Sequence, residues 1–141
     1  MAKKTLKKIL VPLDGSKNSL RGLSFALVLA KQSGSSIIGL NVYSIPMHMK
    51  ISSVVRNKAK QKSKEVIMQA EKMSQKTHVP FSGMIKVSNN VGNAIIEFAK
   101  SHKIDMIVLC SRGPDPEFEI FLGSVSNHVV NKSKIPVTIV K

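Results

Sequence analysis

Short apolar runs recur along this chain with helix-period segments between them, and that alternation leaves few folds open. Met106–Cys110 is five apolar residues in a row, and Ser36–Tyr43 carries Ile37, Ile38, Leu40 and Val42 in a nearly continuous stretch. Runs of this length without polar alternation fit strands buried on both faces. Residues 8–13 read as a first such strand, interrupted by Pro12 and closed by Asp14-Gly15-Ser16, and residues 135–140 read as the last. Residues 80–88 alternate in polarity, as an edge strand does.

The intervening segments have helical spacing. Leu20, Leu23, Leu27 and Ala30 follow Ser16 as a cap and precede Gly34 as a stop. Residues 51–77 predict one long helix with Val55, Ala59, Val66, Ala70 and Met73 toward the core. Behind Asn89-Asn90, the stripe Ala94, Ile95, Phe98 and Ala99 marks a third helix, and Ser124 opens a fourth with Val125, His128 and Val129 inward. Strand and helix in strict alternation predict an α/β fold: one five-stranded parallel sheet with helices on both faces and right-handed crossovers. At 141 residues the expectation is one domain, 1–141, able to bury its core without disulfides or metal. The lone cysteine, Cys110, lies in an apolar strand, which predicts a buried thiol.

In open sheets of this kind ligands sit beyond the carboxyl ends of the strands, which directs attention to two loops. Asp14 follows the first strand, placed to accept a hydroxyl or approach a cation, or to close an Asx turn. Ser111-Arg112-Gly113 follows the fourth strand, and Gly123-Ser124 then opens a helix whose free N–H groups, with the Ser124 hydroxyl, can face an anion. Arg112 suits phosphate, and Val125 and Ser126 continue the same helical turn.

Gly113, nine residues, then Gly123-Ser124 resembles the second half of the glycine motif of universal stress proteins: Gly, two residues, Gly, nine residues, Gly, then Ser or Thr. Cys110 stands at the motif's first glycine and is expected to narrow the pocket. The resemblance extends to Ile9-Leu10-Val11-Pro12-Leu13-Asp14-Gly15-Ser16 and to residues 135–140. It implies a Rossmann-like sheet of the adenine nucleotide alpha hydrolase-like kind, with strand order 3-2-1-4-5. It further implies an adenine nucleotide, ATP foremost and with Mg2+ as a companion, at Pro12, Leu13, Asp14, Val42, Cys110, Arg112, Gly113, Gly123, Ser124, Val125 and Ser126. Val42 would meet the adenine through its backbone. A cytoplasmic stress-response module follows, with slow or absent hydrolysis and a homodimer paired through its last strands. A protein of the same fold that binds no nucleotide and works through protein contacts stays open as one alternative, and a nucleic-acid-binding accessory protein using the basic second helix as another.

Twenty-two Lys and Arg against eight acids give a net charge of +14, which draws polyanions. The basic residues are densest across residues 46–80, where eight stand against two acids. With aromatics at 4% and not interleaved with the lysines, any nucleic-acid binding is expected to be unspecific. No apolar run approaches the roughly 20 residues of a membrane span. His48, His78, His102 and His128 have no metal-ligand spacing, and no motif names a nucleophile with its base. Residues 114–122 carry Asp115, Glu117 and Glu119 between stiffening prolines, and the loop is expected to stand away from bound phosphate.

Overall fold

The computed structural model describes residues 5–46, 52–111 and 122–141. In chain order these form β1 (Lys8–Pro12), α1 (Lys17–Ser33), β2 (Ser36–Tyr43), α2 (Ser53–Gln75), β3 (Phe81–Val87), α3 (Val91–Ser101), β4 (Met106–Cys110), α4 (Ser124–Lys132) and β5 (Val137–Val140). The five strands make one parallel sheet in the order β3-β2-β1-β4-β5, the Rossmann-like arrangement expected. The central strand β1 lies between β2, its successor, and β4, so the strand order reverses there.

The pleat divides each central strand between two cores. Ile9, Val11, Ile37 and Val108 face the layer of α1 and α2, while Leu10, Leu40, Ile107 and Leu109 face α3 and α4. All eight are at most 5% exposed. Each such side chain contributes about 1.5–3 kcal/mol by leaving water, which makes the sheet a rigid platform for whatever its rim carries. Gly39 of β2 shows how tight this packing is, since a Cβ there would lie 2.6 Å from the ring of Phe81 and 2.8 Å from Leu13.

Helix α1 begins as its sequence suggested. The Ser16 hydroxyl accepts the Ser19 N–H at 3.1 Å, satisfying one of the orphan donors of the first turn. Ser16→Ala should therefore cost about 1 kcal/mol of stability, read from the midpoint of urea unfolding; an unchanged midpoint would show the cap to be idle.

One expectation for the layers needs correction. Val55 does not face the core but is 53% exposed, and the buried residues of α2 begin only at Ser63. The cause is length: 23 residues of helix run about 35 Å, whereas the seven residues of β3 beneath it run about 23 Å, so the first turns overhang the sheet. Strand β3 is the edge strand expected, with Phe81 and Ile85 partly covered on one face and Ser82, Met84 and Lys86 exposed on the other. Among the described residues, no helix is long and apolar enough to cross a membrane.

Candidate functional site

Where β1 and β4 part at their carboxyl ends, a cleft of about 320 Å³ opens. Its floor is apolar: Pro12 and Leu13 from β1 and its loop, Leu40 and Val42 from β2, Val91 and Ile95 from α3, and Leu109 from β4. Polar groups stand at two ends. One end holds Asp14 with Ser16, Asn18 and Ser19 from the start of α1, and the other holds Gly123, Val125 and Ser126 from the start of α4.

Two helix N-termini thus reach the same cleft, but their local chemistry differs. At α1, Asp14 makes an Asx turn in which its Oδ1 accepts the Ser16 N–H at 2.8 Å. Gly15 takes φ 86° to complete the reversal, a left-handed conformation that suits glycine. This helix start already has a resident anion. Burial acts to raise the Asp14 pKa, but hydrogen bonds from the Ser16 hydroxyl and N–H, the Ser19 side chain and Asp14's own N–H outweigh it, leaving it below the ordinary 3.8.

At α4 the N-cap is Gly123, with φ −60° and ψ 162°, and no side chain among the described residues caps the helix. The first intrahelical bond runs from the Asn127 N–H to the Gly123 carbonyl at 2.8 Å. The N–H groups of Ser124, Val125 and Ser126 consequently have no partner among the described residues. Open donors and the positive end of the helix dipole favour an anion at this end over the α1 end. Ser126 is buried, and its hydroxyl lies 3.5 Å from the Cys110 carbonyl, tying α4 to the end of β4.

Cys110 departs from its expected burial: it is half-buried and lines the cleft. The reason is its place as the last residue of β4, where cover from the helices runs out. Its Sγ accepts from Arg21 Nη2 at 3.4 Å, and a Cβ at Gly22 would sit 3.6 Å from its own Cβ. The thiol is therefore directed toward α1, where the absent side chain of Gly22 leaves room.

Of the residues singled out in the sequence, Pro12, Leu13, Asp14, Val42, Cys110, Gly123, Val125 and Ser126 are brought together around the cleft. Ser124 is exposed and outside its lining, in reach only through its backbone. Arg112, Gly113 and residues 114–121 of the acidic loop lie outside the described residues. Sequence reading missed Ser16, Asn18 and Ser19 as cleft residues, although Ser16 was legible as a cap. It also missed Leu40, Val91, Ile95 and Leu109, whose apolar side chains signal only core.

The model of the Universal stress protein family matches residues 5–141. Universal stress protein MJ0531 of Methanocaldococcus jannaschii is 28% identical over 144 residues, spanning 96% of this chain and 82% of its own length. Among solved structures, the protein MJ0577 superposes with a TM-score of 0.80 at 27% identity, covering 98% of this chain and 97% of that one. A universal stress protein in complex with cAMP gives 0.76 at 23% identity, covering 97% and 98%. The universal stress protein of Archaeoglobus fulgidus in complex with dAMP gives 0.71 at 23%, covering 98% and 100%.

Proposed function

The chain belongs to the universal stress protein family, and we propose that it is a single-domain, cytoplasmic regulatory protein that holds an adenine nucleotide, ATP foremost, in the cleft between β1 and β4. The observation that carries this reading is the uncapped start of α4 facing Asp14 across an apolar floor. Adenine, flat and largely apolar, fits over Leu40, Val42, Val91 and Ile95, with Asp14 accepting a ribose hydroxyl. Phosphate oxygens take the N–H groups of Ser124, Val125 and Ser126, which have no partner among the described residues, and Gly123 lets them approach. Structures of two similar proteins hold cAMP and dAMP, both adenine nucleotides, which supports the class of ligand.

Mg2+ belongs to this reading as the partner of the phosphates, because Asp14 carries the one carboxylate among the described lining residues and repels an unscreened phosphate. Retention of nucleotide, with hydrolysis slow or absent, belongs to the same proposal.

Calorimetry with ATP, AMP and cAMP, with and without Mg2+, tests the reading together with mass spectrometry of small molecules released on denaturation. Saturable binding of at least one is expected. An absence of both released adenine compounds and saturable binding at roughly 1 mM ligand would overturn it and favour a protein that works through protein contacts.

Asp14 sets the pH behaviour. A carboxyl whose folded pKa is depressed is ionised at every pH above its ordinary 3.8, and its contribution to stability is lost only as pH falls through the lower folded value. Nucleotide affinity should therefore show no Asp14 titration between about pH 5 and 8, and Asp14→Asn should weaken it about tenfold across that whole range. A variant whose deficit vanishes at the acidic end of the range would contradict the assignment.

Assembly is part of the same proposal. Strand β5 is half-buried and, among the described residues, pairs only with β4, leaving an edge that a second copy would cover. Light scattering should show a dimer, and Val137→Lys should shift it toward monomer. A dimer unaffected by that charge would place the interface elsewhere.

A further inference from the structure

Strand β2 gives its backbone to its two neighbours in turn. The Ser36 N–H donates to the Lys7 carbonyl, and the Leu40 carbonyl accepts from the Leu13 N–H at 2.8 Å, so its even-numbered residues bond toward β1. The Ile37 N–H donates to the Pro80 carbonyl, and the Tyr43 carbonyl accepts from the Ser88 N–H, so the odd-numbered ones bond toward β3. By that alternation the next rung between β1 and β2 would run from the Val42 N–H to the Leu13 carbonyl. Among the described residues that bond is absent, and Pro12 with Leu40 is the last pair in register.

A side chain has taken the carbonyl instead. Asn41 Nδ2 donates to the Leu13 carbonyl at 2.7 Å, from a residue only 6% exposed. The same amide leaves its Oδ1 buried without a hydrogen-bond partner. An unpaired buried acceptor is costly, and an apolar side chain of similar shape would avoid that cost, so the amide at this position calls for a reason other than packing. Its effect is local: with the rung missing, Val42 keeps both an N–H and a carbonyl on the side that β1 has left, where it lines the cleft with Leu13 and Leu40.

We propose that Asn41 is a positioning residue for the base of the ligand. By holding the Leu13 carbonyl it ends the ladder one rung early and keeps the Val42 N–H and carbonyl open to the cleft. The inference rests on the reading of that cleft as an adenine nucleotide site. A donor beside an acceptor matches adenine, whose N1 accepts and whose N6 amino group donates; the hypoxanthine of inosine nucleotides reverses both.

Amide hydrogen exchange in the nucleotide-free full chain, followed by nuclear magnetic resonance, tests the first half. The Val42 amide should exchange about a hundredfold or more faster than that of Leu40, and Asn41→Leu, which releases the Leu13 carbonyl, should slow it toward Leu40. Calorimetry with ATP and inosine triphosphate tests the second half. The parent should prefer ATP about tenfold, and Asn41→Leu should lose that preference, which a loss of general stability would not by itself remove. A Val42 amide protected like Leu40 in the parent, or an Asn41→Leu variant that still prefers ATP, would overturn the proposal. If the variant does not fold, exchange in the parent decides. A parent that binds neither nucleotide would instead overturn the reading of the cleft, while exchange, measured without ligand, still tests whether Asn41 ends the ladder.

Discussion

Phe98→Ala is expected to lower the free energy of unfolding by about 3–5 kcal/mol, roughly a fifth or more of the 5–15 kcal/mol that a native domain commonly has. Phe98 is fully buried on α3, within the core that includes Leu10, Leu40, Ile95 and Ile107. Its ring also stacks on His102, centroid to centroid at 3.7 Å with the ring planes nearly parallel at 12°. Truncation removes the ring from this contact and opens a cavity beneath helix and sheet together. Phe98→Leu, which keeps much of the volume, should lose less than half as much. Urea unfolding of the two variants decides it; a loss under about 1 kcal/mol for the alanine would mean that α3 is not packed on the sheet as described.

The largest effect on ligand is expected from Val125→Asp, which should weaken ATP binding about a hundredfold. The new carboxylate would stand in the first turn of α4, where the proposed phosphate lies. Two unit charges about 5 Å apart in a partly shielded site repel by about 3 kcal/mol, or roughly two powers of ten in affinity. An acid in a first helical turn is itself stabilising by about 0.3–1 kcal/mol, so the fold should survive the lost valine. Val125→Thr keeps the shape without the charge and should bind within a few-fold of the parent. Equal binding by the aspartate variant in calorimetry would remove phosphate from α4 and with it the orientation of the nucleotide proposed above.

The sequence made some elements plain and concealed others for physical reasons. Strand β4 is a continuous apolar run and β2 a nearly continuous one because both faces are covered, and their bounds could be read directly. Ser16 announced α1 because capping is a local hydrogen bond within four residues. Val55 misled because helical period records which side of a helix is apolar, not how far the partner sheet extends. Cys110 misled similarly: an apolar run does not reveal that its last residue emerges from cover. At the site, Asp14 and Gly123 were legible through turn and cap chemistry. Asn18 and Ser19 were not, since they reach the cleft only through the Asx turn that sets the direction of α1. The neighbour relations of the strands came from family resemblance, because pairing β1 with β4 joins residues nearly a hundred apart, which no local pattern encodes.

The overhang of α2 has a kinetic meaning. Its amides before Ser63 belong to turns that bury no side chain, so their protection from solvent exchange rests on the helix's own hydrogen bonds. Those turns can open and reclose by fraying, without disturbing β3 or the core, at a cost set by helix–coil equilibrium. Exchange there should outpace that of the central strands by orders of magnitude. Length at this end of α2 then bears little on stability: a turn added or removed there alters how far a basic arm extends, and the folded body scarcely registers it.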